Sequence, residues 1–299
     1  MYDIIIIGGG PAGLTAAVYA RRANKTVLVI EKSTFGGQIT FSPKVENIPG
    51  FAQITGNEFA EKLVEQALGL EAEVECSEVL SVKNGEIKTV VTDSGEFQCK
   101  AIIIATGAKH RMLGLEREEQ MVGNGISFCA VCDGAFYEDK TVAVIGGGNS
   151  ALQEALLLAE TSKKVYVVQN LDFFTGEQKL VEQLKTKNNV EIILGTVVEG
   201  LVGDNELTAI NLCRVADNEK STLKIDGMFV AIGLIPQNEA FADLIKLNQF
   251  GYAEADETCV TTAEGVFVAG DCRSKAIRQV ATAAADGAVA ALAACNYIG

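Results

Sequence analysis

The hydrophobic positions of the chain fall into short continuous runs, separated by glycine-rich turns and by stretches with helical periodicity. The first run consists of four isoleucines at residues 4–7, which is typical of a parallel strand buried on both faces. A glycine turn, a stretch with helical spacing (residues 14–20) and a second apolar strand (residues 26–30) follow. The pattern therefore predicts a β-α-β unit at the start of the chain.

The turn of this unit fits the G-x-G-x-x-G pattern, with Gly8, Gly10 and Gly13 at the glycine positions. The glycines permit a tight turn and a close approach of the backbone, and the N-terminus of the following helix receives a pyrophosphate. Glu31 ends the second strand, at the distance where an acid holds ribose hydroxyls. The sequence therefore predicts that this unit binds a dinucleotide.

The same pattern returns later in the chain, where residues 142–170 overlay residues 4–32 without a gap. Strands are predicted at residues 142–145 and 165–168, with a helix at residues 152–160 between them. The glycine positions of this copy are occupied by Gly146, Gly148 and Ala151. The chain is therefore predicted to have an α/β fold with two Rossmann-like dinucleotide-binding units.

Other apolar stretches predict further elements. An amphipathic helix is predicted at residues 58–70, and a buried strand at residues 101–105 that ends at Thr106 and Gly107. Additional strands are predicted at residues 79–82, 88–92, 190–194, 209–215, 228–232 and 265–271, and a helix of small residues at 281–294.

The strand end of the second unit differs from that of the first. Gln169 occupies the position that corresponds to Glu31, and residues 170–175 contain no arginine. An NAD site usually has an acid at this strand end, and an NADP site has arginines just after it. Two missing arginine contacts to a 2′-phosphate weaken NADPH binding by about two to four orders of magnitude. NADPH is therefore a doubtful cofactor, and Lys163 and Lys164 are interpreted as a solvated turn.

Composition narrows the classes of function. The length of 299 residues predicts two domains. The formal net charge of −14 argues against binding to nucleic acid or to an anionic membrane. We recognise no signal peptide, transit segment or apolar run of membrane length. A cytoplasmic, thiol-reducing location is expected, and the six cysteines outside the C-x-x-C motif are interpreted as buried small hydrophobic residues.

The strongest candidate for chemistry is the C-x-x-C pair of Cys129 and Cys132, followed directly by Asp133. A helical turn brings both thiols onto one face, close enough for a disulfide. If Cys132 lies in the first turn, backbone N–H groups favour its thiolate, and Asp133 moves a proton to or from a thiol. The alternative is half of a zinc site, but no second C-x-x-C exists and His110, the single histidine, stands alone. The spacing favours a redox pair without a metal.

In kind and in order, these motifs resemble those of the low-molecular-weight thioredoxin reductases, over essentially the whole chain. They are G-G-G-P-A-G from Gly8, G-G-Q from Gly36, V-E-N-x-P-G from Val45, A-T-G from Ala105, C-A-V-C-D-G from Cys129, G-G-G-N-S-A from Gly146, and A-G-D with R-Q from Ala269. The resemblance implies two Rossmann-like domains of the three-layer ββα type. Residues 1–112 and 244–299 would form a discontinuous FAD domain, and residues 113–243 a central domain that carries the C-x-x-C pair.

The resemblance also implies roles for individual residues. Cys129 and Cys132 would exchange electrons with the flavin and then with thioredoxin, with Asp133 as acid–base. The family is homodimeric and rotates one domain against the other. The residues implied to hold FAD are Gly8, Gly10, Pro11, Ala12, Gly13, Glu31, Lys32, Gly37, Gln38, Asn47, Val79, Ala105, Thr106, Gly107, Gly270, Asp271, Arg278, Gln279 and Val280.

The NADPH-dependent members carry H-R-R-x-x-x-R where this chain has residues 169–175, and the departure resembles the ferredoxin-dependent flavin thioredoxin reductases. That branch receives electrons one at a time from reduced ferredoxin, which a flavin accepts and passes on as a pair. On this acidic chain ferredoxin needs a local basic patch, with Arg21, Arg22, Lys25 and Arg111 as candidates. Two alternatives stay open: a reductase that uses NADH or NADPH through an altered site, and a flavin redox sensor without turnover.

Overall fold

The four isoleucines of the first strand point alternately to the two faces of a sheet, because successive side chains of a strand point in opposite directions. In the computed structural model of the chain, Ile4 and Ile6 belong to the core on one face, and Ile5 and Ile7 to the core on the other. All four are buried, which confirms the predicted strand with two covered faces. The structure describes residues 1–42 and 45–299.

The strands are β1 (Tyr2–Ile7), β2 (Val27–Glu31), β3 (Glu73–Cys76), β4 (Val79–Lys83), β5 (Lys88–Thr92), β6 (Glu96–Ile104), β7 (Ala108–His110), β8 (Ile126–Ser127), β9 (Thr141–Ile145), β10 (Lys164–Val168), β11 (Val190–Ile193), β12 (Thr196–Val202), β13 (Ala209–Arg214), β14 (Lys220–Lys224), β15 (Gly227–Val230), β16 (Leu234–Pro236) and β17 (Val266–Val268). The helices are α1 (Pro11–Arg22), α2 (Gly56–Gly69), α3 (Glu118–Met121), α4 (Ala130–Asp133), α5 (Asn149–Leu158), α6 (Gln178–Lys185) and α7 (Val280–Ile298). Strands and helices alternate in the β1-α1-β2 and β9-α5-β10 units, whereas β3 to β7 and β11 to β16 follow one another without an α-helix between them.

The chain forms two compact units. Unit 1 comprises residues 1–109 and 235–299, and unit 2 comprises residues 110–234. In unit 1 the strand order is β3-β2-β1-β6-β5-β4, and β17 also pairs with β6. Strand β1 is parallel to β2 and β6, whereas β4 and β5 form an antiparallel ribbon. Helices α1 and α7 cover one face of this sheet.

Unit 2 repeats the parallel core on a smaller scale. Its five-stranded sheet has the order β11-β10-β9-β15-β8, and a separate antiparallel sheet has the order β12-β13-β14. Val142 and Val144 of β9 pack towards α5 and α6, whereas Ala143 and Ile145 pack on the opposite face with residues of β13. The predicted α/β fold with two Rossmann-like sheets is therefore confirmed.

Most of the elements that the sequence did not predict are short or polar, but β12 and α6, with seven and eight residues, were missed as well. Strand β14 contains two lysines, a serine and a threonine and is mostly exposed, so it lacks an apolar pattern. The predicted strand at residues 265–271 is shorter than expected, because Gly270 has a φ of 81° and begins a 3₁₀ turn over Gly270–Cys272. The turn brings Asp271 to the end of β17.

Helix α7 corrects one expectation. By length and composition alone, Val280–Ile298 is long and apolar enough to cross a membrane, so the chain does contain an apolar run of membrane length. Its small residues allow a close contact with α1, because a Cβ on Gly287 would lie 2.1 Å from the carbonyl oxygen of Ala12. Ala290 and Ala294 are fully buried. The helix is therefore part of the core of unit 1.

A buried carboxylate connects α7 to the chain after β17. Asp286 accepts hydrogen bonds from Arg273 (2.8 and 2.9 Å), Lys275 (2.9 Å) and the backbone N–H of Gly270 (3.0 Å). All three side chains are less than one-tenth exposed. Burial raises the pKa of Asp286, but the hydrogen bonds from Arg273 and Lys275 outweigh it and lower the pKa. Asp286 is therefore ionised and holds the turn at Gly270 in place.

We expect Asp286→Ala to lower the free energy of unfolding by about 3–5 kcal/mol, because it leaves two buried cations without a counter-charge. Urea denaturation followed by circular dichroism measures this loss. Glu96→Ala, which removes an exposed ion pair with Lys83 in the same unit, is the matched control and should change stability little. Equal losses in both variants would contradict a special role for the buried pair.

Candidate functional site

The two cysteines of the C-x-x-C motif form a disulfide, with their Cα atoms 5.3 Å apart. Cys129 is the N-cap of α4, and the backbone N–H of Cys132 donates to the sulfur of Cys129 at 3.2 Å. Cys132 lies in the first turn of α4, which is the condition under which the sequence predicts that backbone N–H groups favour its thiolate. The start of α4 therefore lies beside both sulfur atoms, and the preference for Cys132 stays a prediction.

Asp133 is held by a hydroxyl group that sequence reasoning missed. The hydroxyl oxygen of Ser127 accepts from the backbone N–H of Cys129 at 3.1 Å, and the hydroxyl itself donates to Oδ2 of Asp133 at 2.6 Å. The other carboxylate oxygen, Oδ1, is buried and has no hydrogen-bond partner. Burial raises the pKa of Asp133 more than the Ser127 bond lowers it. The carboxyl group is therefore suited to carry a proton beside the cysteines.

His110 packs against an aromatic side chain. Its ring stacks on Phe128 with 4.7 Å between the ring centroids, and burial lowers its pKa to about 4. The imidazole is therefore neutral at neutral pH. Within residues 1–42 and 45–299, His, Cys, Asp and Glu side chains form no group of three that suits a metal ion.

The first glycine turn has no room for a side chain. Gly8 has a φ of 111°, and a Cβ there would lie 2.3 Å from the carbonyl oxygen of Ala105. The backbone N–H of Gly9 donates to Oε2 of Glu31 at 2.7 Å. A Cβ on Gly37 would lie 3.3 Å from the Cα of Gly10. The fold thus brings four predicted cofactor residues, Gly8, Gly10, Glu31 and Gly37, to one turn.

A cavity of about 150 Å³ opens beside this turn. Five of its lining residues were predicted from the sequence, namely Gly8, Glu31, Lys32, Val79 and Thr106. The sequence missed Ser77, which also lines this cavity and whose hydroxyl oxygen is buried without a hydrogen-bond partner among the described residues. Because a buried polar atom is normally paired, this hydroxyl points to a polar ligand group.

More predicted residues meet at the start of α1. A Cβ on Gly270 would lie 2.9 Å from the Cβ of Ala12, so the turn after β17 lies against the start of the helix. Asp271 follows, and its Oδ1 is buried without a partner, while burial raises its pKa. Arg278 donates to the carbonyl oxygen of Asp271 at 3.3 Å.

The remaining residues that were predicted to hold the cofactor also belong to unit 1. The side-chain amide of Asn47 donates to the side-chain oxygen of Gln279 at 3.1 Å. Val280 begins α7, and Pro11 and Gly13 lie in the first turn of α1. Gln38 is exposed on the 3₁₀ turn over Gly37–Phe41, and Gly107 has a φ of 69° after β6. Unit 1 therefore gathers most of the predicted cofactor residues along the carboxyl end of its sheet.

The glycine turn of unit 2 has the same steric requirement but different neighbours. Gly146 has a φ of 137°, and a Cβ there would lie 2.4 Å from the carbonyl oxygen of Ala231. The side chain of Gln169 is buried and lies over Gly147, because a Cβ on that glycine would be 2.4 Å from Cδ of Gln169. Its amide donates to the carbonyl oxygen of Phe173 at 3.3 Å.

The segment after β10 closes on this second turn. The backbone N–H groups of Thr175 and Gly176 donate to the carbonyl oxygen of Gly147, at 2.9 and 3.0 Å. The backbone N–H of Glu177 donates to Oδ1 of Asn149 at 2.7 Å, and the amide of Asn149 donates to the Glu177 carboxylate at 3.0 Å. A carboxylate is thus held at the first residue of α5, where a pyrophosphate would lie in a nucleotide site.

The proposed basic patch is weaker than its sequence suggests. Arg21 donates to the carbonyl oxygen of Leu70 at 2.6 Å and pairs with Glu71 at 3.0 Å. Lys25 donates to the terminal residue Gly299 at 2.6 Å. Two of the four candidate cations are therefore engaged within unit 1, and Arg111 belongs to unit 2.

Comparison with known proteins identifies relatives along the whole chain. The pattern of the pyridine nucleotide-disulphide oxidoreductase family matches residues 2–287. A Clostridium pasteurianum protein described as a 34.2 kDa protein in rubredoxin operon is 43% identical, over 99% of this chain and 97% of that protein. Thioredoxin reductase of Listeria innocua is 40% identical, over 100% of this chain and 94% of that protein. The crystal structure of thioredoxin reductase from Streptococcus pyogenes matches with a TM-score of 0.95 and 37% identity, over 99% of this chain and 98% of that one.

The chain therefore belongs to the pyridine nucleotide-disulphide oxidoreductases and, within them, to the thioredoxin reductase family of flavoproteins. This confirms the family that the motifs resembled. The disulfide of Cys129 and Cys132 agrees with the redox interpretation of the C-x-x-C motif.

We expect Asp133→Asn to slow reduction of the Cys129–Cys132 disulfide by about 10²-fold or more, because asparagine has the same shape but carries no exchangeable acid proton. Stopped-flow mixing with dithiothreitol, followed by thiol trapping, measures the rate. Asp139→Asn, which removes the same charge from an exposed residue six positions later, is the control. Equal rates in the three proteins would exclude Asp133 as the acid.

Proposed function

We propose that the protein is a thioredoxin reductase that takes electrons from reduced ferredoxin, through FAD and the Cys129–Cys132 dithiol, rather than from NADPH. The observation that carries the proposal is the second glycine turn, where residues 169–175 contain no arginine and the Glu177 carboxylate is held at Asn149. In this proposal the chain differs from the NADPH-dependent thioredoxin reductases in its electron donor.

The residues of unit 1 fit FAD. The buried oxygens of Asp271 and Ser77, which have no protein partner, are suited to the hydroxyl and amino groups of such a ligand. Glu31 lies at the cavity beside the first turn, where it would hold ribose hydroxyls, and α1 begins where a pyrophosphate would lie. When bound, FAD supplies a group that accepts single electrons and delivers a pair. We assign FAD binding also to the other residues that the resemblance implies for this cofactor.

The charges around the second turn disfavour NADPH. Residues 169–175 provide no cation for a 2′-phosphate, and the Glu177 carboxylate at Asn149 repels a pyrophosphate. Lys164 opens β10 and is paired with Glu191 at 2.9 Å. A donor that delivers its electrons to the flavin needs none of these contacts.

The energetics favour ferredoxin as the source. An iron–sulfur cluster near about −400 mV reduces a dithiol pair near about −270 mV with a gain of about 6 kcal/mol for two electrons. Two ferredoxins supply the two electrons that one disulfide needs. The reaction therefore runs towards the dithiol without a nicotinamide.

The dithiol then passes the electron pair to thioredoxin. The Cys129–Cys132 disulfide accepts two electrons and two protons to give two thiols. One of these thiols gives its proton to Asp133, and the resulting thiolate attacks the thioredoxin disulfide to form a mixed disulfide. The thioredoxin sulfur that leaves takes this proton from Asp133. The second cysteine then attacks the mixed disulfide and its proton passes to the other thioredoxin sulfur, which restores the Cys129–Cys132 bond and releases thioredoxin with two thiols.

The organisation of the family suggests the rest of the assignment. We assign FAD to the discontinuous domain predicted at residues 1–112 and 244–299, and the dithiol to the domain predicted at residues 113–243. A homodimer in a cytoplasmic, thiol-reducing compartment completes the proposal.

A pyridine-nucleotide reductase is the second candidate. The retained strand, glycine turn and helix at β9 and α5 favour it, because Gly146 keeps the positive φ that such a turn requires. NADH fits this candidate better than NADPH, since it carries no 2′-phosphate.

The choice of donor is tested by anaerobic reduction of the purified flavoprotein with reduced ferredoxin, NADPH and NADH in parallel. We expect bleaching of the flavin and reduction of thioredoxin with ferredoxin, and negligible rates with NADPH. Fast flavin bleaching at micromolar NADH, coupled to thioredoxin reduction, would favour the second candidate and overturn ferredoxin as the donor.

We expect Asp271→Ala to weaken FAD binding by about 10- to 100-fold, because it removes a charged acceptor whose buried oxygen has no other partner. The flavin absorbance per chain after purification, and its loss on dialysis, measure this change. Asp243→Ala, an exposed aspartate of the same unit, is the control and should retain FAD. Unchanged flavin content in Asp271→Ala would remove Asp271 from the site.

A further inference from the structure

A second buried carboxyl group lies against the helix that carries the dithiol. Helix α5 packs on α4, and the carboxylate of Glu154 interacts with the backbone N–H of Ala130, the first residue of α4. One turn further along α5, Leu158 lies against the end of α4, because a Cβ on Gly134 would be 3.4 Å from its Cδ2. Glu154 is therefore adjacent in space to the residue that follows Cys129.

The carboxyl group of Glu154 is incompletely paired. Within residues 1–42 and 45–299, its buried Oε2 has no hydrogen-bond partner, as is also true of Oδ1 of Asp133. Burial raises the pKa of Glu154 to about 7, and the N–H of Ala130 lowers it by less. The group therefore gains or loses a proton in the pH range where a C-x-x-C thiol also titrates.

The elements packed around α5 carry other titratable groups, but none of them is among the causes of the raised pKa of Glu154. They are Asp133 on α4, Tyr137 in residues 134–137, Lys164 and Tyr166 on β10, and Lys179, Glu182 and Lys185 on α6; β9 has none. The pKa of Glu154 responds first to burial and then to the N–H of Ala130. In the described part of the chain, no charged side chain compensates the carboxylate.

We propose that Glu154 is a positioning residue of the dithiol, which holds the first residue of α4 and, by its charge, sets the balance between the Cys129–Cys132 disulfide and the dithiol. The proposal rests on the redox role of the cysteine pair in the proposed function. An ionised carboxylate beside Ala130 repels a thiolate on the neighbouring cysteine, so it disfavours the reduced form. A neutral carboxyl group lifts this penalty.

The equilibrium between the Cys129–Cys132 disulfide and the dithiol can be measured without ferredoxin, nicotinamide or thioredoxin. Dithiothreitol gives two electrons and two protons to the disulfide and becomes its own cyclic disulfide. Above the pKa of the more acidic cysteine, one of the two protons is released and a thiolate remains. The equilibrium constant of this exchange therefore reports the charge near the thiolate.

The experiment compares wild type, Glu154→Gln and Glu154→Asp as holoproteins, equilibrated with dithiothreitol and quantified by acid trapping and alkylation. At pH 6, where Glu154 is mostly protonated, we expect wild type and Glu154→Gln to agree within about twofold. At pH 8.5, where Glu154 is ionised, Glu154→Gln should favour the dithiol by about tenfold. Glu154→Asp retains the charge and should follow wild type at both pH values.

Alkylation of the reduced proteins with iodoacetamide gives a second readout. The pKa of the reactive thiol should be lower in Glu154→Gln than in wild type, which a purely structural role would not produce. Glu160→Gln, which neutralises an exposed residue just after α5, is the control and should match wild type. An equilibrium constant for Glu154→Gln that equals wild type at pH 8.5, or shifts equally at both pH values, would overturn the proposal. Neither outcome depends on which donor reduces the flavin.

Discussion

Both units depend on the same steric constraint, which is that the turn after the first strand of each parallel sheet has no room for a Cβ. Gly8 and Gly146 have φ values of 111° and 137°, and a side chain on either would collide with a backbone carbonyl of the neighbouring strand segment. Only glycine combines this φ with this approach at no cost. The turn directs the following helix so that its N-terminus faces the carboxyl end of the sheet, where parallel α/β folds bind their ligands.

The side chains around the two glycine turns differ in the hydrogen bonds that they leave open. In unit 1 the N–H of Gly9 is bound by Glu31, and the buried oxygens of Ser77 and Asp271 remain without partners. In unit 2 the chain satisfies the corresponding region itself, with Gln169 over Gly147 and Glu177 at the start of α5. Unpaired buried polar atoms indicate a ligand, whereas a turn closed by its own chain has less need of one. The same glycine turn therefore has different surroundings in the two units.

The dithiol illustrates how buried acids support thiol chemistry. The short helix α4 ends at Asp133, which Ser127 holds, and packs against Glu154, which approaches the N–H of Ala130. Each carboxyl group has one oxygen without a partner, and burial raises both pKa values. Groups that keep a proton near neutral pH suit a reaction in which sulfur atoms alternate between disulfide, thiol and thiolate.

The sequence by itself determined the two glycine turns, Glu31, the missing arginines after Gln169 and the C-x-x-C-D motif, because these depend on local steric and chemical requirements that residue type and spacing reveal. It did not reveal Ser127, Ser77 or Glu154, which come from separate parts of the chain and show no pattern of their own. Only the fold shows that Cys129 caps α4 and that its sulfur receives the N–H of Cys132. Tertiary structure decided burial and pairing, because the pKa of a carboxyl group and the partner of a thiol depend on neighbours that are distant in sequence.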